Sequence, residues 1–215
     1  MKANKKKTGS SSNMEELFCT PFLDYMSKLV TPDDKLISLV AANSKLVQFP
    51  KNEKLLLAGD VSKYFYFIVS GEAVSYFTDY QGKTTTWFFH FNTPESNVKN
   101  LFVVDFKSFL QKDKATLTIE TLSPVTAIRF SVPQMKTLID NSHIFERWMR
   151  LVTEQAFSLT YCRINTLLNL SATERYKRFL ENEPWLLNMF SHYLIAGYLD
   201  VAPQSLSRIR KSIVG

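Results

Sequence analysis

Cysteine is nearly missing from this sequence: Cys19 and Cys162 are the two present in 215 residues, far apart and in no Cys-x-x-Cys or Cys/His spacing. That excludes a disulfide framework, gives no basis for a zinc or iron–sulfur site, and fits a reducing cytoplasm. Histidine is as scarce, and His90, His143 and His192 stand isolated from one another. Isolated histidines are more often structural or surface groups than haem or metal ligands, so no cofactor is expected. No apolar run approaches the roughly 18 to 20 residues that span a bilayer, and the lysine-rich start runs into Gly9-Ser10-Ser11-Ser12-Asn13 instead of an apolar signal core. Neither export nor a membrane partner is expected. Gly-x-Ser-x-Gly, P-loop, His-Glu-x-x-His and paired-carboxylate patterns are also missing, which argues against an enzyme.

What is present can fill a core, with 45% hydrophobic and 13% aromatic residues. The formal net charge of +6 suggests a nucleic-acid partner until it is located along the chain. Lys2, Lys5, Lys6 and Lys7 supply four of those charges, which leaves only about +2 from Met14 onward. Residues 1–13 are polar and low in complexity and read as a disordered basic leader. Overall basicity therefore says little about function.

Beyond the leader the chain reads as α+β. Leu17, Phe18, Phe22, Tyr25, Met26 and Leu29 recur at helical spacing, and Thr31-Pro32-Asp33-Asp34 is a helix start, so two short amphipathic helices open the fold. From Lys45 to Phe130 short runs of Val, Ile, Phe, Tyr and Thr are broken about every ten residues by turn sequences such as Ser70-Gly71-Glu72 and Gln81-Gly82. This spacing predicts an all-β sandwich or barrel, with its clearest hairpin running from Ala73–Tyr80 into Lys83–Phe91. Tyr64 to Val69 is apolar on both faces and reads as an interior strand. After Ser131-Val132-Pro133 the period turns helical for roughly 35 residues, far beyond an average helix. Within it Phe145, Trp148, Val152, Gln155, Leu159, Cys162 and Thr166 recur at alternating steps of three and four. Such a stripe predicts a seam to a twin helix in a homodimer, with Phe145, Trp148, Val152 and Leu159 as interface residues; packing against the β domain is the alternative.

Ser171 and Glu174 form a capping-box signature that starts a further helix, Asn182-Glu183-Pro184 ends it, and Trp185 to Phe190 adds an apolar cluster. The last residues carry the strongest functional signal. Leu194, Ile195, Tyr198 and Leu199 give one helix a buried face, small Ala196 allows a close crossing, Asp200-Val201-Ala202 makes a tight turn, and Pro203 suits the first position of the next helix. Leu206 and Ile209 would then face inward, leaving Gln204, Ser205, Ser207, Arg208 and Lys211 outside, where a recognition helix meets the major groove. Arg208 suits a guanine edge and Gln204 an adenine or a phosphate, while Ser205, Arg210 and Lys211 suit the DNA backbone. A plain helical hairpin whose basic end complements its own dipole stays open as an alternative.

This arrangement resembles the Crp/Fnr family of bacterial transcription regulators over almost the whole chain after the leader. The likeness is most specific at Val201-Ala202-Pro203-Gln204-Ser205-Leu206-Ser207-Arg208-Ile209-Arg210-Lys211, which looks like members from Bacteroidetes-like bacteria. Tyr66-Phe67-Ile68-Val69-Ser70-Gly71-Glu72 is similar to the first half of the family's β-roll. The resemblance implies a double-stranded β-helix (a cyclic-nucleotide-binding-like β-roll) flanked by helices over residues 14–132, a dimerisation helix over 133–169 and an all-α helix-turn-helix over 170–215. It also implies a homodimer on a pseudo-palindromic double-stranded DNA operator, with RNA polymerase as a candidate partner. Pro203, Gln204 and Arg208 would hold the family's three principal contact positions, although the proline side chain cannot hydrogen-bond. The chain stops at Ile213-Val214-Gly215, so the β-hairpin wing of many members is not expected; similar Bacteroidetes members often look wingless too.

The family's cyclic-AMP binders carry a Gly-Glu pair that opens a short helix and an Arg in the next strand. The resemblance puts Val104-Asp105 at the pair and Glu120, with Thr121 beside it, where the Arg should stand. A carboxylate there would repel a phosphate, so this effector pocket is expected to be degenerate, with an unknown effector or none. Phe65, Phe67, Tyr76, Phe77, Trp87, Phe88, Phe89 and Phe91 offer a second candidate pocket, for an apolar or aromatic effector, with plain core as the simpler reading. The rival function is a β-roll protein-interaction module with weak or no DNA binding.

Overall fold

The computed structural model describes residues 12–214, so the basic leader lies almost wholly outside the described residues. Helix α1 (Ser12–Ser27) turns Cys19, Phe22 and Met26, spaced by three and four, into the core. Asp33 then caps α2 (Asp34–Ala42), its carboxylate accepting from the Leu36 amide at 2.8 Å.

Eight strands follow: β1 (Lys45–Phe49), β2 (Lys54–Leu56), β3 (Tyr64–Ser70), β4 (Glu72–Thr78), β5 (Thr84–Phe91), β6 (Phe102–Val103), β7 (Thr118–Thr121) and β8 (Val125–Ser131). They pair antiparallel in two four-stranded sheets, β1-β8-β3-β6 and β2-β7-β4-β5, with the short helices α3 (Val98–Leu101) and α4 (Phe106–Gln111) around β6. The predicted hairpin is β4 with β5, Glu72 opposite Phe91. The predicted interior strand is β3, held between β8 and β6. Period-2 alternation sends its Phe65 and Phe67 toward α1 and its Tyr66 and Ile68 into a second cluster, so both faces are buried. The β3–β4 turn needs Gly71, whose φ is +88°; a Cβ there would meet the Pro124 carbonyl oxygen at 2.2 Å.

The helical stretch predicted over 133–169 is two helices, α5 (Val132–Asn141) and α6 (His143–Asn169). Ser142 interrupts them: its backbone is extended (φ −147°, ψ 110°) and its side chain caps α6 by accepting from the Phe145 amide. The stripe predicted as a dimer seam faces inward, as in the alternative of packing against the β domain. Phe145, Trp148 and Val152 are fully buried inside their own chain, and Leu159 is half-buried against the same core. Trp148 sits among Phe22, Phe102 and Phe145 at ring distances of 5.1 to 5.9 Å. Covering Phe145, Trp148 and Val152 with α1 and the roll gains roughly 1.5 to 3 kcal/mol each, so these three are spent before a second chain could use them. The other side of α6 carries Phe157, Tyr161, Ile164 and Leu168, exposed and again at steps of four, three and four.

Helices α7 (Ala172–Asn182), α8 (Leu186–Met189), α9 (His192–Tyr198) and α10 (Pro203–Val214) complete the chain. The capping box at Ser171 and Glu174 is formed. These helices share one core with the roll, in which Phe89 of β5 stacks on Phe190 at 4.0 Å and 14°.

Candidate nucleic-acid interface and sensor cavity

Helices α9 and α10 are joined by Leu199 to Ala202, with Asp200 in the left-handed region at φ 49°. Ile195, Ala196, Leu199 and Leu206 are buried at the crossing, Val201 and Ile209 pack against it, and the Val201 amide donates to the Ala196 carbonyl at 3.0 Å. The turn and the apolar spacing thus force one face of α10 inward. Its other face exposes Gln204, Ser205, Ser207, Arg208, Arg210 and Lys211. Ser207 is turned back on the helix, donating to the Pro203 carbonyl at 3.2 Å. The sequence of α10 contains three cations and no acid. Helical rotation of about 100° per residue groups Gln204, Arg208 and Lys211 on one line, with Ser205 and Arg210 to its sides.

This unit is clamped to the roll by polar contacts that nothing in the sequence announces. Lys99 of α3 pairs with Glu183 after α7, and the Tyr198 hydroxyl of α9 donates to the same carboxylate at 2.8 Å. Arg163 of α6, 7% exposed, donates to the main-chain carbonyls of Thr86 and Tyr198 and lies 3.8 Å over the Tyr198 ring. Burial pulls the Arg163 pKa below its usual value and pushes that of Tyr198 up. Each contact joins residues from 15 to 84 positions apart, so local spacing carries no signal for them.

A cavity of about 280 Å³ lies between the roll and α6. Val104 and Asp105 line it, but Glu120 and Thr121 do not. Glu120 projects to the other side of the sheet, where it pairs with Lys54 and accepts from the Tyr76 hydroxyl at 3.2 Å. Thr121 is buried in framework contacts, donating to the Pro50 carbonyl at 2.7 Å and accepting from the Glu53 amide at 2.8 Å. Thr116 and Leu117 line the cavity in their stead, with Phe77, Trp87, Phe88, Phe102 and Phe106 as aromatic wall and Thr160 contributed by α6. Asp105 caps α4, accepting from the Ser108 amide at 3.0 Å. The two lysines on the lining are engaged elsewhere, Lys99 with Glu183 and Lys107 with Asp113. His90 is buried at the same place, with Nδ1 3.0 Å from the Lys99 carbonyl and Nε2 3.1 Å from the Ser75 hydroxyl. Because a carbonyl only accepts, Nδ1 carries the proton. Burial pushes the His90 pKa down to about 4.

Two antiparallel sheets with α3–β6–α4 inserted before β7 and a long helix behind β8 form a recognisable combination. Residues 46–142 match the cyclic nucleotide-binding domain family. The match runs from β1 to the end of α5, so α6 and the helix-turn-helix lie beyond it. Solved structures of similar fold extend over both parts. The c-di-GMP responsive global regulator CLP of Xanthomonas campestris is 15% identical, with a TM-score of 0.63 over 84% of this chain and 91% of that one. FixK2 of Bradyrhizobium japonicum is 16% identical, with a TM-score of 0.65 over 79% and 84%. A protein assigned to the Crp/Fnr family of transcriptional regulators, from Eubacterium rectale, is 13% identical, with a TM-score of 0.61 over 84% and 83%. No curated protein matches the sequence. The fold is thus shared with these solved structures: a β-sheet domain similar to the cyclic nucleotide-binding family, followed by a helical region. Among the described residues no helix is long and apolar enough to cross a membrane, and no group of His, Cys, Asp and Glu could hold a metal ion.

Proposed function

We propose that the protein is a sequence-specific DNA-binding transcriptional regulator of Crp/Fnr type that acts as a homodimer. The observation that carries this reading is the outer face of α10: Gln204, Arg208 and Lys211 are exposed in line, and no acid accompanies them on the helix. Arg208 and Gln204 have the donors and acceptors to read base edges, while Ser205, Arg210 and Lys211 hold phosphates. Exposure of Phe157, Tyr161, Ile164 and Leu168 supports a seam to a second copy along α6, on the side opposite to the buried stripe. Two such helices present two copies of α10 to successive major grooves, about 34 Å apart. Among the described residues the cavity beside α6 has no arginine on its lining and both its lysines are paired, so it is unsuited to the phosphate of cyclic AMP. RNA polymerase is the partner that such a regulator would address from DNA.

Selection of bound duplexes from a random pool tests the reading. A pseudo-palindrome is expected, and Arg208→Ala should lower the preference for it by about 1 to 3 kcal/mol per contacted base pair. Binding that depends on salt but shows no sequence preference overturns it and leaves a protein-interaction module.

A further inference from the structure

A second cleft, of about 320 Å³, opens between α6, α7 and the β5 side of the roll. Its lining brings together four cations, Lys99, Arg163, Arg175 and Arg178, and a single carboxylate, Glu183, which is already taken by Lys99 and the Tyr198 hydroxyl. Among the described residues none of the three guanidinium groups makes a direct ion pair, although Glu183 and Asp200 act on Arg163 at longer range. Arg175 is held in place by backbone carbonyls, Nε donating to Leu199 at 2.8 Å, Nη1 to Leu170 at 2.9 Å and Nη2 to Asp200 at 3.3 Å, so it contributes its charge to the cleft. Arg163 spends Nη2 on two carbonyls, while its buried Nε has no hydrogen-bond partner among the described residues. A concentration of like charge in a partly buried cleft is costly unless something else offsets it. Arg178, exposed on α7, stands at the cleft with no ion pair among the described residues.

We infer that this cleft binds a small phosphate-bearing molecule. A phosphate dianion offers acceptor oxygens to Arg178 at the mouth of the cleft and offsets two of the three excess charges gathered there, which a single carboxylate cannot do. The cleft is far larger than a phosphate ion, and Phe88 and Phe179 wall it with apolar surface. A phosphoryl group attached to a ring therefore fits better than the free ion. Since Lys99 belongs to the roll, Arg163 to α6 and Arg178 to α7, one bound molecule would bridge all three. The inference does not rest on DNA binding.

Titration calorimetry of the full chain at low salt, with inorganic phosphate and with phenyl phosphate, tests it. One site per chain is expected, with phenyl phosphate the tighter of the two. Arg178→Gln should weaken binding at least tenfold at an unchanged thermal midpoint, and Arg178→Glu should abolish it. Arg150→Gln, an α6 cation paired with Glu154, should leave binding unaltered. Failure of both compounds to bind, or equal affinity in Arg178→Gln, overturns the inference, as does capture of duplex DNA alone by these arginines.

Discussion

Gly197 of α9 lies against Thr86 of β5 so closely that a Cβ at position 197 would come within 2.9 Å of the threonine hydroxyl oxygen and 3.3 Å of its amide nitrogen. The contact is where the helix-turn-helix rests on the roll, with Tyr193 meeting Thr84 at 3.1 Å and Lys83 meeting Asp200 at 3.2 Å to either side. Glycine is needed here for approach, since no positive φ is required of it. Gly197→Ala should therefore destabilise the protein by about 1 to 3 kcal/mol in urea unfolding, despite the better helix propensity of alanine. Adding Thr86→Ala should restore part of the loss, because the hydroxyl is the nearest atom met. Additive effects in that double-mutant cycle would rule out the contact as the cause.

Glu183 holds Lys99 and Tyr198 together, and its side chain is 18% exposed against 12% for that of Lys99. Glu183→Gln leaves a largely buried ammonium without its partner and should cost up to about 3 kcal/mol. Replacing both partners with apolar residues should be milder than the single change. Chemical denaturation of Glu183→Gln and of the double variant measures this.

His90 gives the fold a pH dependence with a definite sign. Its folded pKa of about 4 lies below the ordinary value of 6.5, so the unfolded chain takes up the proton first. The stability it secures is whole above pH 6.5 and is lost as pH falls toward 4, by roughly 3 kcal/mol at most. A urea midpoint that falls from pH 7 to pH 4.5 in the wild type, and falls less in His90→Asn, is the expected result. An identical fall in both would assign the acid sensitivity to other groups.

The two stripes of α6 should respond oppositely to substitution. Phe157→Glu combined with Leu168→Glu changes only exposed positions and should give a folded monomer in sedimentation velocity. Phe145→Ala empties a fully buried site and should cost about 3 to 5 kcal/mol of stability whatever the oligomeric state.

Much of this architecture is legible in the chain. The β4–β5 hairpin, the interior strand β3 and the capping box at Ser171 follow from spacing and turn chemistry over a few residues, and each stands where those rules put it. The α9–turn–α10 unit is read in the same way, because Ala196, Val201, Pro203 and Leu206 have roles fixed by neighbours within ten positions. The helix break at Ser142 is also local, a capping serine hidden inside an otherwise continuous helical period.

What the sequence determined, then, is the order of elements and the face of α10 left free, since helical and strand periods act within the segment that carries them. Tertiary structure decided which faces meet. α6 has two apolar stripes at coiled-coil spacing, and only the aromatic pocket made by α1 and the roll selects Phe145, Trp148 and Val152 for burial and leaves Phe157 to Leu168 outside. Glu120 stands between Ile119 and Thr121 on a strand where a step of one residue exchanges the faces, so the pairing of β7 with β4 and β2, and no local rule, takes its carboxylate away from the cavity. The clamp at Lys99, Arg163 and Glu183 has the same origin: long-range contacts put its charges together, and no periodicity records them.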